Sequence, residues 1–192
     1  MTETTPHDDA APRIDEHGRP EPPFHGSETA TLLGFLDFQR TTLAWRTDGL
    51  DDAALARRLD GHPSEMTLGG LLKHLAFVEF FWFEVTAHGT PASEPWVSVD
   101  WDADPDWDWH SAAEDSAEDL RALWRESVER SRAVVERLLE AGPAALDATH
   151  PAWGGREQVS LRWILTHMIE EYARHNGHAD PLREQIDGQV GE

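Results

Sequence analysis

Two stretches of the chain put imidazole and carboxylate groups where helical periodicity calls for apolar side chains. In LLKHLAFVEFFWF, His74 shares a face with Leu71, Val78, Phe81 and Val85 at about 100° per residue, so it points inward. In HMIEEYARHNGHADPLRE, Glu171, His175 and His178 fall at i, i+4 and i+7 and line one side of a helix. His175 lies inside that helix's apolar stripe; Glu171 and His178 lie toward its edge. Side chains four apart on a helix stand roughly 5–6 Å apart at Cβ, which suits chelation of one ion. One more histidine from a facing helix gives three N/O ligands and leaves coordination open, the arrangement of a catalytic rather than a structural metal. Each group has a plainer reading alone: an inward histidine is usually hydrogen-bonded core, and a Glu–His pair one turn apart usually sits at the surface. Their occurrence together on two helices favours a divalent metal held between His74 and the row of Glu171, His175 and His178. Gly177, inside the same helix, costs about 1 kcal/mol relative to alanine and points to a close approach at that turn.

Further polar and aromatic groups could line a substrate pocket. His167 lies one turn before Glu171, at the edge of the site or in solvent. Arg174 could reach an anionic substrate, against a solvent salt bridge. Arg183 lies near the apolar stripe and could pair with Glu79 or Asp180, closing the end of the bundle. Glu170 should face water. Trp82 falls on the stripe of the second long helix, and Trp101 falls in an aromatic loop that follows it.

The elements that must position these groups follow from period and punctuation. From Ser27, Leu32, Leu33, Phe35, Leu36, Leu43 and Trp45 mark an amphipathic helix that stops near Gly49. Asp51 caps a short helix, DDAALARRL, ended by Gly61 and Pro63. The second long helix runs from about Thr67 to Gly89, with Leu71, Leu75, Val78, Trp82 and Val85 as its stripe. Residues 88–110 show no helical pattern and exceed the roughly 12–15 residues of ordinary loops, so they form a functional or ordered flap. They hold Trp96, Trp101, Trp107 and Trp109 among five aspartates. An EF-hand is excluded there, because the turn glycine and the closing glutamate are missing. Either the tryptophans pack on the bundle rim while the aspartates face water, or the segment walls a site. Ser111-x-x-Glu114 has the capping-box pattern that opens a third helix, ended by Gly142-Pro143. Ser160 caps a fourth, with Leu161, Ile164, Leu165, Met168, Tyr172, Ala179, Leu182 and Ile186 on its stripe. No strand pattern stands out. The expectation is an all-α four-helix bundle over residues 27–188, with a long Trp/Asp-rich loop between helices two and three. Residues 1–26 are polar and proline-rich and form a disordered or draped tail.

Composition narrows the chemistry. The chain has 192 residues and a net charge of −21, from 37 acidic against 16 basic residues. Nucleic-acid backbones and anionic membrane surfaces are poor partners for such a surface. The chain lacks a spanning apolar run and a signal-peptide pattern, so a cytoplasmic location is expected. There is no cysteine, while histidine reaches 11 and tryptophan 9. Thiolate ligands and cysteine nucleophiles are therefore excluded, and a metal site must use imidazole and carboxylate.

The two helical segments resemble the DinB-like (YfiT-like) metalloenzyme superfamily, over about residues 28–188. More narrowly they are similar to a subfamily whose fourth helix reads H-M-I-E-E-Y-A-R-H-x-G-H-x-D-x-L-R-E. The resemblance implies a four-helix bundle, often a homodimer, with a divalent metal, zinc or nickel, held by three residues. The superfamily's helix-two histidine falls on His74. Of its H-x-x-x-H pair on helix four, the second falls on His175 and the first on Glu171, a departure. Thiol-dependent maleylpyruvate isomerases have a similar His, Glu, His set. The glutamine that follows in the superfamily falls on His178, a second departure, so the resemblance leaves His178 to replace Glu171 as third ligand or to add a fourth. Characterised relatives use mycothiol or bacillithiol, which implies a low-molecular-weight thiol and a small electrophile as partners, in S-transfer or thiol-dependent isomerisation. Cysteine-free composition fits a thiol supplied from outside, and arginine richness with a single lysine, Lys73, leans toward mycothiol. The alternatives are a non-catalytic metal or small-molecule binder and a dimeric scaffold with packed histidines.

Overall fold

Each long helix begins where a short polar side chain takes up a free backbone N–H. In the computed structural model, which describes residues 13–191, helix α1 (Glu28–Thr47) starts at Ser27, whose hydroxyl accepts from the Ala30 amide at 3.1 Å. Asp51 does the same for the short α2 (Asp52–Leu55), and Thr67 for α3 (Leu68–Glu79). Helix α3 runs on through Phe80–Ala87 in wider π-helical turns. Helix α4 (Trp107–His110) is a single turn, α5 spans Ala117–Leu139, and α6 spans Leu161–Asp187 with Ser160 as its cap.

The chain is mostly helical, and its four long helical segments share one core. Helix α1 packs along α6, α3 along α5, and both α3 and its π-helical extension touch α6. Leu36, Leu43, Leu71, Leu75, Phe83, Leu165, Met168 and Tyr172 are fully buried between them. Fully burying a side chain of this size contributes roughly 1.5–3 kcal/mol. Among the described residues, no helix is long and apolar enough to cross a membrane.

Several boundaries differ from the periodicity. Helix α5 starts at Ser116, not Ser111: the Ser116 hydroxyl accepts from the Asp119 amide at 3.1 Å and donates to its carboxylate at 2.7 Å. Ser111–Glu114 forms a separate 3-10 turn, and the Ser111 hydroxyl donates to the Trp107 carbonyl instead. An antiparallel hairpin precedes α6, with β1 (Thr149–Ala152) paired to β2 (Glu157–Ser160). Its turn passes through Trp153, Gly154 and Gly155, all with positive φ. Phe35 faces outward, 45% exposed, rather than joining the stripe of α1.

Of the expected tail, residues 1–12 lie outside the described residues. Residues 13–26 lie against α1. Arg19 is buried, stacks over Phe38 and Trp45, and donates to Asp15 at 2.7 Å. His17 stacks on Trp45 at 4.2 Å. Pro22 and Pro23 sit so close to Gly34 that a Cβ there would lie 2.5 Å from the Pro23 ring.

Candidate metal centre

His74 from α3 and Glu171 and His175 from α6 meet where those two helices pack. One donor atom of each lies within 4.8 Å of the others. His74 Nδ1 is 2.7 Å from Asp108 Oδ2; a carboxylate only accepts, so Nδ1 carries the proton. That fixes the tautomer of the neutral ring and turns its Nε2 lone pair toward Glu171 Oε1, 3.4 Å away. His175 Nε2 approaches the same oxygen at 3.7 Å. Two imidazole nitrogens and a carboxylate oxygen thus face one another in a half-buried space. Lone pairs so placed repel unless a proton or a cation lies among them.

The electrostatics carry the same signature. Burial opposes protonation of His74, but hydrogen bonds to Asp108 and Glu171 outweigh it and raise the pKa. Hydrogen bonds from His175 and His74 hold the Glu171 carboxyl well below the usual carboxylate range. Without a metal, a proton on His74 fills the role of the cation. The donor set of two imidazoles and one carboxylate suits zinc or another borderline divalent ion. The Asp108–His74 pair is the outer hydrogen bond that metal-bound histidines ordinarily make.

The ring of Trp109 stacks on His74 at 4.6 Å and tilts against His175 at 5.6 Å. It lies flat over the first turn of α3 because Gly70 leaves the space. A Cβ on Gly70 would sit 2.8 Å from Trp109 Cε3.

The other candidate residues distribute around this centre. His178 is not in the three-residue group: its ring packs edge-on to His175 at 5.5 Å and lines a smaller cavity with Leu59, His62 and Leu182. Burial lowers its pKa. His167 joins Glu170 and Glu171 in a second close group, stacks on Trp163 at 4.9 Å and meets Trp82 edge-on. Trp82 is buried beneath Trp153 and Trp163, which are 42% and 41% exposed. Trp101 lies away from the group, stacked on Phe77 at 4.6 Å. Trp96 packs on Phe77 and Phe80, and Trp107 sits under the Lys73 ammonium. The loop tryptophan at the centre is Trp109.

Arg174 is exposed and pairs with Glu170 at 2.6 Å, the solvent salt bridge expected of it. Two expectations need correction. Arg183 pairs with neither Glu79 nor Asp180, which bind Arg40 and Arg46; it bonds Asp187 and the carbonyls of Arg46 and Asp48, tying the ends of α1 and α6. Gly177 is exposed with nothing within 4 Å of a Cβ there, so no close approach explains it.

Asp108 was not singled out from its loop. Its neighbours Asp100, Asp102 and Asp106 are exposed, while Asp108 is 3% exposed and turns in between two tryptophans. The signal was indirect: an inward metal-binding histidine needs an outer acceptor, and this loop supplies carboxylates. A buried ionic network was missed as well. Arg40 grips Glu79 with two hydrogen bonds, at 2.7 and 2.8 Å. The Tyr172 hydroxyl donates to Glu79 at 2.8 Å and accepts from Trp124 Nε1 at 2.9 Å. Burial and the Glu79 charge push the Tyr172 phenol well above its ordinary value, so it remains a donor.

A comparison with curated proteins returned no match. The family model described as Mycothiol-S-transferase matches residues 31–188, a span that includes all four long helical segments except the first turn of α1, and every member of the His74, Glu171, His175 group. The chain therefore belongs to the mycothiol S-transferase family, within the DinB/YfiT-like superfamily.

Proposed function

We propose that this chain is a divalent-metal-dependent transferase that joins the sulfur of mycothiol to a small electrophile, on a four-helix-bundle scaffold. His74, Glu171 and His175 would hold the metal, with zinc or nickel as the best-suited ions. The observation that carries this reading is the convergence of two Nε2 atoms on Glu171 Oε1 beside the Asp108–His74 hydrogen bond. His178 stands one step outside and is not needed for a three-residue set.

A divalent cation, when bound, deprotonates a coordinating thiol, and the thiolate is the nucleophile. The chain has no cysteine, so the sulfur must come from the cosubstrate. Asp108 keeps the His74 proton on Nδ1, and Trp109 holds the ring plane by stacking. In a displacement, the thiol proton passes to solvent, a new S–C bond forms, and the leaving group departs with its electron pair. Overall, RSH and R′X give RSR′ and HX. An apolar electrophile would lie against His167, which adjoins Glu171, and the Trp163 and Trp82 rings packed on it.

The test is conjugation of monochlorobimane to mycothiol by the zinc- or nickel-loaded protein. The reading expects bimane conjugate well above the rate without protein, and its loss in His175→Ala. No acceleration by protein carrying one metal per chain would overturn it.

A further inference from the structure

Beside the metal group lies a cavity of about 530 Å³, within the range of small-molecule sites. It runs between the segment that joins α2 to α3 and the turn of α4. His175 and Trp109 form part of its wall, so a ligand seated there ends at the candidate metal centre. The polar lining is of mixed sign. Arg58 and His110 offer donors, Glu65 and Asp106 offer acceptors, and Thr67 adds a hydroxyl. At the exposed rim, Arg58 pairs with Glu65 at 2.8 Å and His110 with Asp104 at 2.9 Å. An anion would meet two carboxylates, and a cation would meet the guanidinium. A neutral ligand rich in hydroxyls satisfies both, since each hydroxyl donates and accepts.

Helix α6 sets a direction. His167, Glu171 and His175 follow at i, i+4 and i+8, so the two outer residues are about 12 Å apart along the axis. The aromatic group of Trp82, Trp163 and His167 lies at one end of this row and the mixed-polarity cavity at the other.

We propose that this cavity binds the hydroxyl-rich sugar and inositol body of the thiol cosubstrate, with Arg58, Glu65 and Asp106 as specificity-determining residues. The inference rests on the transferase reading above and assigns the two ends of its site. The sulfur reaches the His175 end, and the electrophile approaches from the Trp163 end.

The experiment is fluorescence anisotropy of two S-bimane conjugates, of mycothiol and of N-acetylcysteine, with the metal-loaded full chain. Both conjugates carry the same blocked sulfur, so their difference reports the polyol body. Wild type should bind the mycothiol conjugate at least about tenfold more tightly, the effect of one or two good hydrogen bonds. Asp106→Ala combined with Glu65→Ala should remove most of that preference, with metal content and N-acetylcysteine conjugate binding unchanged. Both residues are exposed, so the fold should tolerate their truncation. Equal binding of the two conjugates by wild type, or an unchanged preference in the variant, overturns the proposal. Selective binding without turnover would sink the transferase reading and leave the cavity assignment standing; turnover untouched by the substitutions would do the reverse.

Discussion

His74 is held on three sides: Asp108 takes its Nδ1 proton, Trp109 covers its face, and Glu171 confronts its Nε2. Asp108→Asn keeps an oxygen that can accept from Nδ1 but removes the charge that raises the basicity of the ring. Competition with a chelating dye should show metal affinity weakened about 10- to 100-fold, the usual effect of losing an outer partner. Gly70→Ala acts one step further out. Its methyl would meet the Trp109 ring at 2.8 Å, and the overpacking should cost about 1–3 kcal/mol in urea unfolding. That His74, Glu171 and His175 come together was legible in the sequence because helical period turns residue numbers into faces. Asp108 was not, because a loop has no period to say which of five aspartates turns inward. His178 shows the limit of the same rule: it lies seven residues after Glu171 on the same side of α6, yet its ring packs edge-on to His175 and lies outside the group.

The four long helical segments meet at a buried polar knot. Arg40 comes from α1, Glu79 from the end of α3, Trp124 from α5 and Tyr172 from α6. Glu79 is fully buried, so Arg40→Leu would leave its charge without an opposite charge, only the Tyr172 hydroxyl remaining, and should destabilise the fold by about 3–5 kcal/mol. Replacing Arg40 and Glu79 together by leucine should recover much of that loss in thermal or urea unfolding. Tyr172 adjoins Glu171 in α6, so the knot also sets the rotation of the helix that carries two of the three donors. At the start of α5, Ser116→Ala should cost about 1 kcal/mol, whereas Ser111→Ala should cost less, because Ser111 caps no long helix. The long helices were readable from their stripes and caps. The hairpin was not, since Thr149–Ala152 and Glu157–Ser160 are four residues each and the first contains Pro151. Nor was the π-helical stretch, whose side chains are apolar nearly all round and hide the change of pitch. The knot escaped because period marks Arg40 and Glu79 only as polar residues on helices, and pairing across 39 positions leaves no local trace.

Across the molecule, a metal at His74, Glu171 and His175 would clamp α3 to α6 and so stabilise the native state by linkage. At free metal about 100-fold above Kd, the gain is about 2.7 kcal/mol. Calorimetry should show zinc or nickel raising Tm and a chelator reversing it, with no such shift in His74→Ala/His175→Ala. The acidic surface, at net charge −21, attracts cations broadly, so a shift in Tm alone does not isolate the site. Metal content after gel filtration does. Elemental analysis of the purified chain, incubated with zinc or nickel and passed through a desalting column, should find one ion per chain in wild type and none in the His74→Ala/His175→Ala variant. Equal metal in the two proteins, or none in either, would contradict the account.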